Sequence, residues 1–301
     1  MFRPAPIRAP SPVSVLVATI FGAVVPSISS AHGLIAADLF SPSTSLGRQA
    51  VASATLAPSM DNTLYDDAEG DASNGGGSAM FAGRNSASTY SARRALLAFD
   101  VSAAIPTGST IESVTLTLFN DAANTSPQVI SLHRIDQSWG EGTTIAGGGQ
   151  GSGAPAAPGD ATWTHRLYGS DLWTTPGGDF APTASTFAIV AEEGFYSWPS
   201  TASLVADVQS FLDNPSGNFG WILLGNENEA SSSKRFATRE AADPALRPIL
   251  TIEFVPEPSC VGWLFVLLLV RSRRPQRRLI RRNASCPLNS PVTRSSHVGS
   301  G

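Results

Sequence analysis

Short runs that alternate in polarity, each closed by Gly, Pro, Asn or Asp, recur from Met60 onward and leave this chain few folds other than strands joined by turns. The clearest run covers residues 111–119. There Val114, Leu116 and Leu118 share one face with period two, and Thr115 and Thr117 take the other. Residues 94–101, 128–135, 186–191, 220–224, 234–238 and 249–254 follow the same pattern, with weaker strands near Leu64 and Phe81. Residues 200–212 differ: Leu204, Val205, Val208, Phe211 and Leu212 fall at helical spacing, a Ser or Thr can serve as N-cap, and Asn214-Pro215 stops the run. Many strands, one helix and no strand-helix alternation predict an all-β fold, a jelly-roll-like β-sandwich with one short helix. Residues 33–59 are rich in Ser, Ala and Pro and form a lead whose later part can already be strand. Residues 146–159 are almost entirely Gly, Ala, Pro, Ser and Gln, a composition that predicts a mobile loop.

Both ends carry the marks of processing segments. Arg3 and Arg8 precede an apolar stretch over residues 13–25 and then Ser29-Ser30-Ala31, small residues that suit signal peptidase. The stretch is shorter than the roughly 20 residues a spanning helix needs. A cleaved leader over residues 1–31 is therefore expected, then the lead over 32–59 and a sandwich over 60–254. Two arginines lie in the leader and eight from Arg271 onward, so the middle holds 10 basic against 24 acidic residues, net −14. Such a surface repels nucleic acid and anionic lipid. Cys260 and Cys286 both lie beyond the sandwich, which therefore has neither a disulfide nor a thiolate metal site. Its stability must come from its core.

Two groups of residues are candidates for chemistry. Asp61, Asp66, Asp67, Glu69 and Asp71, followed by Ser73-Asn74-Gly75, concentrate hard oxygen donors in a Gly-rich loop. Asp67, Glu69 and Asp71 are the candidate ligands of a structural Ca²⁺ ion, although Ser78 stands where a calcium loop carries its bidentate Glu. A solvated acidic loop is the competing reading. Trp139, Trp163, Tyr168 and Trp173 are candidate stacking platforms for sugar rings, against the plainer possibility that Trp163 and Trp173 are buried fasteners. Arg239 and Glu240, in or just after a strand, read as a structural ion pair. No nucleophile elbow, His-Glu-x-x-His pair or phosphate-cradling Gly-Lys motif occurs, so no catalytic residues are assigned and no enzyme is expected.

Arg94-Ala95-Leu96-Leu97-Ala98-Phe99-Asp100, then Ile105-Pro106, resembles the early half of the extracellular domains named after a DNRLRE motif. Trp163, Trp173, residues 175–180, Phe236-Ala237-Thr238-Arg239-Glu240 and Arg247-Pro248-Ile249-Leu250 follow in that family's order. At the naming motif itself the chain departs, reading Lys234-Arg235-Phe236-Ala237-Thr238-Arg239-Glu240. The resemblance implies a jelly roll similar to carbohydrate-binding modules, some of which bind acidic polysaccharides. Pro256-Glu257-Pro258, an apolar run over residues 260–270 and Arg271-Ser272-Arg273-Arg274 resemble the PEP-CTERM sorting tail, here spanning residues 255–282 before an extension over 283–301. The order of parts is physically coherent: a Pro-rich break, a segment that inserts, and positive charge held on the cytoplasmic side. That resemblance implies processing by an exosortase, transient anchoring in the inner membrane and delivery to the cell surface or extracellular matrix. The 11-residue run is about 16 Å long as a helix, short of a bilayer core of about 30 Å. A non-catalytic surface module that binds polysaccharide is expected; a structural or adhesive surface protein, or an accessory domain of a polysaccharide-degrading system, is the alternative.

Overall fold

The computed structural model describes residues 50–121 and 126–257. The leader, most of the lead, Pro258, the apolar run with its arginines and the final extension lie outside the described residues. In chain order the strands are β1 (Ala52–Leu56), β2 (Met60–Tyr65), β3 (Ala72–Ser73), β4 (Ala79–Arg84), β5 (Ala92–Ala98), β6 (Thr110–Asn120), β7 (Gln128–Arg134) and β8 (Ala154–Pro155). They continue as β9 (His165–Leu167), β10 (Asp171–Leu172), β11 (Thr186–Val190), β12 (Gly194–Trp198), β13 (Trp221–Leu224), β14 (Lys234–Ala237) and β15 (Ile249–Val255). A single turn, α1 (Val101–Ala104), and one full helix, α2 (Ala202–Asp213), complete the framework. The fold is all-β. Among the described residues no helix is long and apolar enough to cross a membrane.

Eleven strands join into one antiparallel sheet that runs β1-β15-β6-β14-β4-β5-β13-β7-β11, with β12 added to β6 and β2 to β5. The sheet folds over its own core. Val114, Leu116, Leu118, Phe236, Leu250 and Ile252 on one layer meet Ala95, Leu97, Ile130, Leu132, Trp221 and Leu223 on the other. The corner lies in β4, where Met80 pairs with Phe236 of β14 but Gly83 pairs with Arg93 of β5. Gly83 has φ +119°, and a Cβ there would stand 2.9 Å from the Ser233 backbone. Only glycine turns this corner without strain.

Every expected strand is present, and the expected helix is α2. Thr201 caps it, its hydroxyl accepting from the Leu204 amide at 3.0 Å. Leu204, Val208, Phe211 and Leu212 are the buried stripe that the spacing predicted. From the same helix, Gln209 accepts from the Ile111 amide and donates to the Ser109 carbonyl, closing the start of β6. The later part of the lead is strand, as its sequence allows, and five strands go beyond the expectation: the short β3, β8, β9 and β10, and β12. In the lead, β1 pairs with β15 from Ala52↔Phe254 to Leu56↔Leu250, so the folded region begins before Met60. Strand β12 pairs with β6 and places Trp198 in the core.

Strand β5 explains its own apolar sequence. Ala95 and Leu97 face the main core, whereas Leu96 and Ala98 face a second one with Leu64, Ile135, Trp139, Ala161, Trp173 and Ile222. A strand buried on both faces loses the alternation of a half-exposed one and reads as a continuous apolar run. The second core is roofed by the excursion between β7 and β11. Residues 146–159, expected to be mobile, are held down within that excursion. Gln150 accepts from the Tyr65 hydroxyl at 2.9 Å, Gly151 from Arg93 at 2.9 Å, and β8 pairs with β3. Asp160, buried, accepts from the amides of Thr143 and Ala157 at 3.0 and 2.9 Å and from the Thr144 hydroxyl. Composition predicted flexibility because it cannot show which distant side chains will satisfy a loop's backbone. Gly147, Gly148 and Gly149 have open space around them.

Candidate functional site

Period two turns Asp61 and Thr63 of β2 inward and Asn62 outward, and both faces are buried. Asn62 knits the outer side: its amide donates to the Glu141 carbonyl at 2.8 Å and the Ser73 hydroxyl at 3.0 Å, and its oxygen accepts from the Asn74 amide at 3.0 Å. This fixes Glu141, from the loop after Trp139, against the end of the sheet. The Glu141 carboxylate accepts from the Asp61 amide at 2.9 Å and grips Arg239 through two contacts, at 2.7 and 2.5 Å. Arg239 follows β14. Its amide donates to Asp61 Oδ2 at 2.9 Å, and its Nε lies 2.9 Å from Glu240 Oε1.

The cluster thus holds three carboxylates and one guanidinium, brought together from positions far apart in sequence. Asp61 is fully buried, and its Oδ1 has no hydrogen-bond partner; neither has the buried Oε2 of Glu240. Burial, with Glu240 and Glu141 nearby, pushes the Asp61 carboxyl up to about 8, against the opposing pull of the Arg239 amide and charge. Burial first, then Glu141, also raises Glu240, while Arg239 opposes the shift. The hydrogen bonds to Glu141 hold the Arg239 guanidinium above its ordinary value.

The sign of the resulting pH dependence follows. Folded Asp61 keeps its proton up to about pH 8, whereas the unfolded carboxyl releases it near 3.9. Stability in chelator is therefore full below about pH 4 for this group and is lost as pH rises toward 8, by at most about 1.4 kcal/mol per pH unit. Urea denaturation at several pH values across this window checks it, and Asp61→Asn is expected to flatten the slope.

A second feature lies on the outer layer. Arg94 of β5 is paired to both oxygens of Glu227 at 2.7 and 2.9 Å, donates to the Gly177 carbonyl at 2.8 Å, and lies over the Trp163 ring at 4.7 Å and the Phe180 ring at 5.6 Å. Beside it opens a cleft of about 470 Å³ lined by Arg94, Asp136, Thr175, Pro176, Asp179 and Phe180. Asp179 is committed to the cleft wall, accepting from the Thr174 and Thr175 amides and from Gln137. Asp136 is exposed, with Arg134 at 4.0 Å.

The residues singled out from sequence are distributed differently from the expectation. Trp139 and Trp173 are buried in the second core, with their indole N–H groups donating to Phe219 and Thr162 carbonyls, so neither ring offers a face to solvent. Trp163 is half-buried beneath Arg94, and Tyr168 packs edge-on to His165; none of the four lines the cleft. Asp67 spends its carboxylate on the amides of Gly70, Asp71 and Ala72, a turn cap that leaves little for a cation, and Glu69 points to solvent. Among the described residues the acidic side chains that converge are Asp61, Glu141 and Glu240, and Asp67, Glu69 and Asp71 do not. Arg239 and Glu240 are ion-paired as expected, but both belong to the larger cluster. Asp61 was visible in sequence as one acid among several, whereas nothing near Glu141 marks it. Of the sorting motif, Pro256 and Glu257 follow directly on the last residue of β15. Comparison with protein-family models and with curated proteins finds no match for this chain.

Proposed function

We propose that this is an exported, non-catalytic surface or matrix module with a jelly-roll-like sandwich, delivered through an exosortase-type tail and associated with polysaccharide. The observation that carries the binding reading is the cleft beside Arg94. It is open to solvent, built on a roof fastened by buried tryptophans, and lined by an aromatic residue, Phe180, together with Asp136 and Thr175. Aromatic residues next to hydrogen-bonding groups are the composition that sugar recognition uses. The acidity of the chain favours a neutral glycan over an anionic one. The non-catalytic reading rests on the sequence, which carries no nucleophile elbow, His-Glu-x-x-His pair or phosphate-cradling motif; of the two carboxylates lining the cleft, Asp179 is committed to hydrogen bonds with the wall.

A glycan-array screen of the full chain, with and without EDTA, tests this reading. Binding to at least one neutral glycan is expected, weakened about tenfold by Asp136→Ala, the loss of one charged hydrogen-bond partner. No binding under either condition overturns it. The burial of Trp139 and Trp173 favours a second reading, a structural or adhesive surface protein, which that negative result would support.

A further inference from the structure

The cluster at the end of β2 holds more carboxyl oxygens than its surroundings supply with partners. Glu141 and Glu240 are satisfied in part by Arg239, and Asp61 by one amide, yet two buried oxygens, Asp61 Oδ1 and Glu240 Oε2, have no donor. Buried carboxylate lone pairs without partners are costly and mark a missing group. One oxygen from each of Asp61, Glu141 and Glu240 lies within 4.8 Å of the other two. We infer that these three carboxylates bind a calcium ion where β2, the loop after Trp139 and the segment after β14 converge.

Three features select this ion class. The ligands are all carboxylate oxygens, which suit hard cations and not the thiolate- and imidazole-seeking metals. With all three carboxyls ionised, one Arg leaves a deficit of two charges, which a divalent cation fills as it displaces the Asp61 proton. Oxygens up to 4.8 Å apart fit around an ion with Ca–O distances of roughly 2.3–2.6 Å, water completing the shell. Access exists from one side, since Glu240 and Arg239 keep 24% and 40% of their side-chain surface exposed while Asp61 forms the closed floor. The ion would tie together segments 80 and 178 residues apart. This site is separate from the cleft beside Arg94, so it stands or falls independently of glycan binding.

The competing chemistry is a proton shared between Asp61 and Glu240, and the test separates the two. The full chain is stripped with EDTA and titrated with CaCl₂ or MgCl₂ at pH 7.5, with stoichiometry read by calorimetry and stability by thermal unfolding. One calcium per chain is expected, with Tm raised by about 5–10 °C when calcium exceeds its Kd about 100-fold. Asp61→Asn and Glu240→Gln should each weaken calcium binding at least about tenfold. Glu240→Gln, on the open side, carries the test if the buried substitution prevents folding. No calcium bound at about 10 mM, well above the range of weak extracellular sites, overturns the inference and leaves the shared proton. A calcium response unchanged in Glu240→Gln and in folded Asp61→Asn overturns it as well.

Discussion

Trp198→Ala is expected to cost about 3–5 kcal/mol of unfolding free energy, the range for removing a large aromatic from a packed interior. Trp198 comes from β12 on one layer and donates its indole N–H to the Ile130 carbonyl of β7 on the other at 2.9 Å. Its ring also meets Phe236 edge-on at 5.8 Å. The substitution therefore opens a cavity between the layers and strips a buried carbonyl of its donor. Urea denaturation monitored by circular dichroism measures the loss. Trp198→Phe, which keeps most of the volume but not the N–H, should cost clearly less. Equal losses for the two would mean that the hydrogen bond, not the ring, dominates.

The second large effect belongs to Arg239. Arg239→Met keeps the aliphatic stem but leaves Glu141 and Glu240 without their cation. Removing one partner of a buried ionic group costs about 3–5 kcal/mol, and the partial exposure of Arg239 reduces the expectation to about 2–4 kcal/mol in chelator at pH 7.5. The penalty should shrink as pH falls and Glu240, whose carboxyl burial raises, takes up its proton. Arg239→Lys restores the charge but not the two-pronged contact with Glu141, so an intermediate loss is expected. Denaturation curves at pH 7.5 and pH 4.5 check both statements, and a pH-independent loss would contradict them.

Much of the framework was legible in the sequence because period-two alternation and helical spacing are local. Residues 111–119 announced β6, and the Leu204 to Leu212 stripe announced α2 with its Thr201 cap. Strand β12 was harder to see. It follows β11 after only three residues yet pairs with β6 across the sandwich, a connection that no local pattern encodes. The tryptophans show the limit in another way: an indole is suited equally to stacking on a sugar and to filling a core. The choice for Trp139 and Trp173 was made by carbonyls at Phe219 and Thr162. The acidic cluster was hidden for a similar reason. The dense run Asp66 to Asp71 has the composition of a calcium loop, but Asp67 caps a turn there, while isolated Glu141 and Glu240 meet Asp61 through tertiary folding.

Burial of β5 and β13 on both faces has a dynamic consequence. Leu96 and Ile222 support the roof, and their neighbours Ala95, Leu97, Trp221 and Leu223 support the sandwich. Neither side can open fully without exposing apolar surface on the strands they share, so the roof is no independently melting lobe but part of one cooperative unit. Backbone amides of β5 and β13 should then be the slowest to exchange with deuterium. Any ligand that grips the cleft beside Arg94 would slow them further, letting occupancy at the surface be read as protection deep inside the fold.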